Sequence, residues 1–278
     1  MEGASGIGAR AYHSAMRSAA RLVCIAALAG SSGAVFARPF DLPDIPRCTE
    51  VTPGAVSVDD TPVTLGLRVV LDGVSAGQAD AFVAAARSSY APLNIALLVS
   101  YDSAGFSSSD GGQLINEVKA FYGGSRPAGT HLVYVLTAKN LTDGGAFGDS
   151  LAGLADCIGG VAYPQNAFAV GEADPEIAAK VMAHELGHLL GAHHHYANCA
   201  EALPNGGDNV CTLMINDVGL AALPFSTLNG TVVRGHAQLA GSASTASGGG
   251  GSGSGGSFSL LALLVLLSGA LTRRRVLL

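Results

Sequence analysis

Charge is scarce in this chain, and basic charge scarcer still. Asp, Glu, Lys and Arg make up 13% of the 278 residues, against 49% hydrophobic. That balance excludes extensive disorder outside locally biased stretches, because there is ample apolar surface for a core. Between residues 38 and 257 nine Lys and Arg face 20 Asp and Glu, a net charge near −11 with His neutral. Such a surface has no footprint for nucleic acid, and its acidity bears on solubility rather than fold. No internal repeat is visible, no calcium-loop motif is present, and no pattern marks an oligomer, so a monomer is expected. Long hydrophobic runs are missing as well. Neither terminal apolar stretch reaches the about 20 residues that a helix needs to cross a bilayer.

The two ends read as addresses rather than fold. Arg10, Arg17 and Arg21 precede an apolar run, Leu22 to Ala29, and then small residues ending Val35-Phe36-Ala37. A basic region, an apolar region and small residues at −3 and −1 read as a secretory signal peptide over residues 1–37, cut after Ala37. Residues 38–61 carry four prolines and no periodicity, and read as an extended lead-in or short pro-segment. With Cys24 inside the signal, Cys48, Cys157, Cys199 and Cys211 remain, an even set that suggests two disulfides in an exported chain. Three connectivities are open. Cys199 with Cys211 and Cys48 with Cys157 is preferred, and Cys157 with Cys211 would tie a loop to the sheet to the same end.

Residues 241–257 read as a linker, Gly/Ser-rich from Gly248 to Ser257, and an apolar stretch, Phe258 to Leu271, leads to Arg273-Arg274-Arg275. Fourteen residues make a helix of about 21 Å, short for a hydrocarbon core of about 30 Å. The terminal arginines would stay cytoplasmic. This layout resembles the GlyGly-CTERM sorting signals of Gram-negative bacteria. The resemblance implies membrane contact through residues 258–278, a C-terminal sorting protease, and a product released outside the cell or attached to its surface. A retained transmembrane helix is the alternative.

Between the ends, the pattern alternates strand and helix. Val63–Leu71, Ile95–Tyr101 and His131–Thr137 read as strands, with helices over Ala76–Tyr90 and Gly111–Tyr122 between them. That order implies right-handed crossovers and mostly parallel pairing. Two shorter strand-like runs, Gly160–Tyr163 and Ala167–Val170, bracket the turn signal Pro164-Gln165-Asn166. A helix then opens at Asp174-Pro175-Glu176 and runs to about Leu190, before Gly191. The fold class is therefore α/β, with a twisted sheet of about five strands in a domain over residues 62–240.

One segment concentrates chemistry: His184-Glu185-Leu186-Gly187-His188-Leu189-Leu190-Gly191-Ala192-His193-His194. On a helix, His184 and His188 share a face and can direct both rings at one metal ion. Glu185, one residue on, can reach a water there without being a ligand. Gly191 can take positive φ, so the chain can turn and return a third imidazole. Three protein ligands and an open position are what catalytic zinc requires, whereas a structural site is closed by a fourth. Spacing selects His194 from the run His193-His194-His195.

This segment resembles the metzincin metalloproteases, and its HELGHxLG core is closest to the adamalysin/reprolysin group. The resemblance also implies an antiparallel edge strand, a methionine turn beneath the metal and a C-terminal helix. Cys211-Thr212-Leu213-Met214 is similar to the reprolysin methionine turn, and Pro224-Phe225-Ser226 with the residues to Gln238 resembles the last helix. Two departures stand out: His195 replaces the aspartate common after the third histidine, and the lead-in is short where reprolysins carry a long prodomain. Pro46-Arg47-Cys48 is superficially similar to the matrixin cysteine switch, although Thr49-Glu50-Val51 does not continue it.

The resemblance implies a zinc metalloendopeptidase holding one Zn2+ on His184, His188 and His194, with Glu185 as general base and a polypeptide substrate. Gly160, Val161, Ala162 and Tyr163 would form the edge strand that pairs with substrate. Ile215 and the residues to Gly219 would wall an apolar pocket. A non-catalytic zinc-binding adhesion protein and a narrow self-processing protease are the alternatives.

Overall fold

The computed structural model describes residues 45–49, 59–144, 151–197, 199, 211–218 and 221–247. The expected signal peptide, the Gly/Ser tract and the apolar C-terminal stretch lie outside them. Among the described residues, no helix is long and apolar enough to cross a membrane.

Five strands form one sheet. They are β1 (Val63–Asp72), β2 (Ile95–Ser103), β3 (Leu132–Thr137), β4 (Gly153–Ala155) and β5 (Phe168–Glu172), in the spatial order β2-β1-β3-β5-β4. β1 pairs in parallel with β2 and β3, β3 pairs in parallel with β5, and β4 runs antiparallel along β5 as the edge. The helices are α1 (Ala76–Tyr90), α2 (Gly111–Phe121), α3 (Ala178–Leu189) and α4 (Thr227–Ser247). Local chemistry marks two helix starts: Ser75 and Gln78 close a reciprocal capping box on α1, and the Asp110 carboxylate accepts from the Gln113 N–H on α2.

Strand alternation sorts side chains to two cores. Leu65, Leu67, Val69, Leu132, Tyr134 and Leu136 pack on the face shared with α1, α3 and α4. Val70, Val133, Val135, Phe168 and Val170 pack on the opposite face, against Leu114, Ile115 and Val118 of α2. Burial on both faces is why these strands read as nearly continuous apolar runs. The helix that bears the metal motif lies on the first face, where Tyr90 of α1 donates its hydroxyl to Ala183 O at 2.7 Å.

Several boundaries differ from the sequence reading. Gly160–Ala162 is a 3-10 turn, closed by bonds from Gly160 N to Cys157 O and from Tyr163 N to Gly160 O, so its backbone is spent locally and offers no edge. The antiparallel edge is Gly153–Ala155, whose three small or apolar residues are too short for a periodic signal. α3 starts at Ala178; Asp174 instead holds the preceding turn, accepting from Glu176 N through its carboxylate and from Ile177 N through its carbonyl. α4 extends through Ser247, seven residues into the expected linker, because Ala, Ser and Thr sustain a helix that the glycine run beyond does not.

α4 ties the chain together. The buried Arg234 guanidinium donates to Asp59 O, Leu93 O and Asn94 O, joining the lead-in to the start of β1 and β2. His236, 2% exposed, lies against Gly191, and its Nε2 meets no hydrogen-bond partner among the described residues. Burial lowers its pKa from 6.5 to about 4. A base with a depressed folded pKa takes up a proton on unfolding. Its contribution is therefore intact above about pH 6.5 and declines towards pH 4, by roughly 3 kcal/mol in full. Urea unfolding of His236→Gln between pH 7 and 4.5 should show a shallower acid decline than the parent. Histidines common to both proteins cancel in that comparison.

Candidate metal centre

α3 presents His184 and His188 one turn apart, and both rings are buried. The helix ends at Leu189, with Leu190 as its C-cap. Gly191 follows with φ +87°, which lets the chain reverse. A Cβ at Gly191 would also stand 2.3 Å from the His236 ring, so the position is closed to larger residues on two grounds. The returning segment places His194 in a short 3-10 turn, His194–Tyr196, with its ring half-buried beside the other two.

The three Nε2 atoms converge. His184 and His188 are 3.0 Å apart, and each is 3.1 Å from His194. The outer nitrogens of the helix pair face carbonyls: His184 Nδ1 lies 2.8 Å from Leu213 O, and His188 Nδ1 lies 2.8 Å from Ala192 O. A carbonyl only accepts, so each Nδ1 carries the ring proton and each Nε2 turns a lone pair inward. Lone pairs at this distance repel unless a cation lies among them. Tetrahedral zinc at about 2.0–2.1 Å from each nitrogen would set them roughly 3.3 Å apart, close to the spacing here. The residues fit the metal, and the two carbonyls are the outer partners that orient ligating imidazoles.

The neighbouring histidines have other roles. His193 is buried with its backbone held by Asn229, and His195 packs its ring on Tyr196 with centroids 4.0 Å apart. Neither joins the cluster, which consists of His184, His188 and His194. Met214 is fully buried beneath α3, its sulfur 3.0 Å from where a Cβ at Gly187 would stand. The turn it belongs to supplies Leu213 O to His184.

Glu185 is buried on the side of α3 that meets the edge strand. Its carboxylate lies 2.9 Å from the position of a Cβ on Gly153, so the missing side chain there makes room for it. The buried Tyr90 and Tyr134 hydroxyls titrate well above the ordinary 10.0, first through burial and then through the charge of Glu185. They therefore stay neutral near the carboxylate.

β4 runs beside this residue. Ala152 O accepts from Glu172 N, and Asp156 N donates to Phe168 O, both toward β5. Alternation along an antiparallel pair therefore turns the backbone groups of Gly153 and Ala155 away from β5. Ile215 is half-buried against an apolar cluster of Ala152, Val181, Val218 and Ala221 at the start of that edge. Gly160 and Val161 are buried in their turn, and Tyr163 is partly exposed. Gly153 and Ala155 were missed in the sequence because nothing in Gly-Leu-Ala announces an edge. Only the preceding Leu151-Ala152 extends its apolar character.

Cys48 is bonded to Cys157, and Cys199 to Cys211. The first bond leaves Cys48 no thiolate to offer a metal. It also fastens residues 46–49 beside Ile158, which accepts from Cys48 N and donates to Pro46 O.

Close approach at Gly153 generates a test. In Gly153→Ala the new methyl would meet Val181 Cγ1 at 2.5 Å and the Glu185 carboxylate at 2.9 Å. Overpacking of this kind costs about 1–3 kcal/mol, to be read as a lowered urea midpoint.

Comparison with known proteins follows the same residues. Residues 80–195 match the family described as metallo-peptidase family M12B, reprolysin-like, a stretch that runs from α1 through His194 and stops short of Met214 and α4. No curated protein matches the chain. Among solved structures, archaemetzincin from Methanopyrus kandleri is similar at 15% identity, with a TM-score of 0.45 over 63% of this chain and 96% of that one. A zinc-dependent peptidase from Methanocorpusculum labreanum is similar at 17% identity, with a TM-score of 0.40 over 60% of this chain and 100% of that one.

Proposed function

We propose that this protein is an exported zinc-dependent endopeptidase of the reprolysin-like kind, acting on polypeptides as a monomer. The observation that carries the reading is the meeting of three imidazole Nε2 atoms within 3.1 Å, with a buried glutamate one residue after the first ligand. The likeness over residues 80–195 to a reprolysin-like family supports it. The signal-like residues 1–37 and two disulfides support export.

His184, His188 and His194 would hold one zinc ion. When bound, zinc polarises the scissile carbonyl and makes water acidic enough to attack near neutral pH. Glu185 would take the proton of that water on a carboxylate oxygen and hand it to the leaving nitrogen. The intact Glu185 disfavours a purely adhesive role, since metal binding alone needs no base there. An extended substrate would pair its backbone with the groups of Gly153 and Ala155 that face away from β5, as an added strand. Ile215 and its apolar neighbours would favour an apolar side chain just after the cut. Residues 258–278 would bring the chain to the membrane for sorting or anchoring.

Residues 38–257 should bind zinc at one equivalent and cleave unfolded casein, and a chelator should abolish cleavage. Glu185→Gln should keep the metal and lose activity by about 10²–10⁴-fold, the range for removing a general base. Zinc binding without cleavage of casein or of a peptide library would sink the general endopeptidase in favour of a binding or self-processing protein.

A further inference from the structure

The third ligand is the one that a helix does not hold. His194 sits on a segment that leaves α3 through Gly191, so its place depends on what fastens that segment. The strongest fastening comes from a single side chain on α4. Asn229 Oδ1 accepts from His193 N–H at 2.9 Å, and Asn229 Nδ2 donates to His193 O at 3.0 Å. The amide thus pairs with both backbone groups of the residue before the ligand, as a neighbouring strand would. Donor must face acceptor at both ends, which settles the orientation of the amide.

Asn229 is itself fully buried and held. Its backbone N–H donates to Ser226 Oγ, and the Ser226 hydroxyl donates to Tyr196 O at 2.5 Å. The segment is therefore gripped on both sides of His194, at His193 by the first turn of α4 and at Tyr196 by Ser226 just before it. A hydroxyl, an aspartate or an alanine at 229 could not supply the same donor and acceptor pair. We infer that Asn229 is a positioning residue of the metal centre, holding His194 in ligating geometry from α4. This rests on the reading of His184, His188 and His194 as a zinc site, and not on peptidase activity.

The test measures metal rather than turnover. Zinc affinity of residues 38–257 is read by competition with a chromophoric chelator, and the visible spectrum of bound Co2+ reports the ligand set. Asn229→Ala should weaken zinc about 10–100-fold, the usual cost of losing an outer partner of a ligand, and should alter the Co2+ spectrum. Asn229→Asp keeps the size and the acceptor but not the donor. Its second carboxylate oxygen would face the His193 carbonyl, acceptor against acceptor, so it should weaken zinc at least as much, and it serves if the alanine variant does not fold. Val233→Ala, in the same helix and fully buried in the main core, supplies the control. It should lower stability while leaving zinc affinity within twofold and the spectrum unchanged.

The inference is overturned if both Asn229 variants bind zinc within twofold of the parent, or if Val233→Ala weakens zinc as much as they do. A parent that binds no zinc would overturn the metal reading itself. Zinc bound without peptide cleavage would leave the positioning role standing and remove only the peptidase reading.

Discussion

Three imidazole nitrogens held within 3.1 Å of one another impose the constraint on which the rest of the structure depends. Their lone pairs point at a common centre, an arrangement that costs energy until a cation compensates it. Each ring must therefore be held from outside. Helical periodicity brings His184 and His188 to one face, but it does not orient them. Orientation comes from Leu213 O, in a turn 29 residues further along, and from Ala192 O, just past the end of the helix. The third ring needs a left-handed glycine at 191 and a grip from the last helix. A motif of eleven residues is thus held by one carbonyl of its own, and by a carbonyl and an amide from two other parts of the chain.

The same logic governs Glu185. A carboxylate buried in an apolar layer is costly unless its surroundings are arranged for it. Here it faces the one strand whose first residue lacks a side chain, Gly153, so the edge of the sheet can approach it closely. That approach also defines what else can come near, namely the outward backbone of Gly153 and Ala155. Base and sheet edge are neighbours because α3 packs across β4 and β5.

Much of the frame was legible before any coordinates. β1, β2 and β3 and the helices α1 and α2 lie within two residues of where periodicity placed them, because burial on two faces or one writes a strong pattern. The legible elements are those in which many residues repeat one relationship to the core. Of the short elements, Ala167–Val170 falls on β5, but the others were not legible. Gly160–Tyr163 has the β-branched and aromatic texture of a strand, yet its backbone closes on itself after the left-handed Gly159, and the true edge is the three residues Gly153–Ala155. The first turn of α3 was misplaced for a related reason. Asp174 and Pro175 carry the signature of a helix start, but the bonds that Asp174 accepts close the turn before it.

For the site, the sequence by itself determined the donor set: two histidines at i and i+4, a glutamate between them, a glycine to turn the chain, and a histidine after the turn. Those are local relationships, set by the pitch of one helix and the freedom of one glycine. Spacing also selects His194 from His193-His194-His195, and only the tertiary structure supplies what holds it there, the Asn229 amide on the backbone of His193. Tertiary packing likewise decides that β4 is the strand beside Glu185 and that Leu213 O meets the His184 ring. These are meetings between residues far apart in sequence. No spacing within a segment encodes them, because they follow from how the sheet and α4 bring separate segments together.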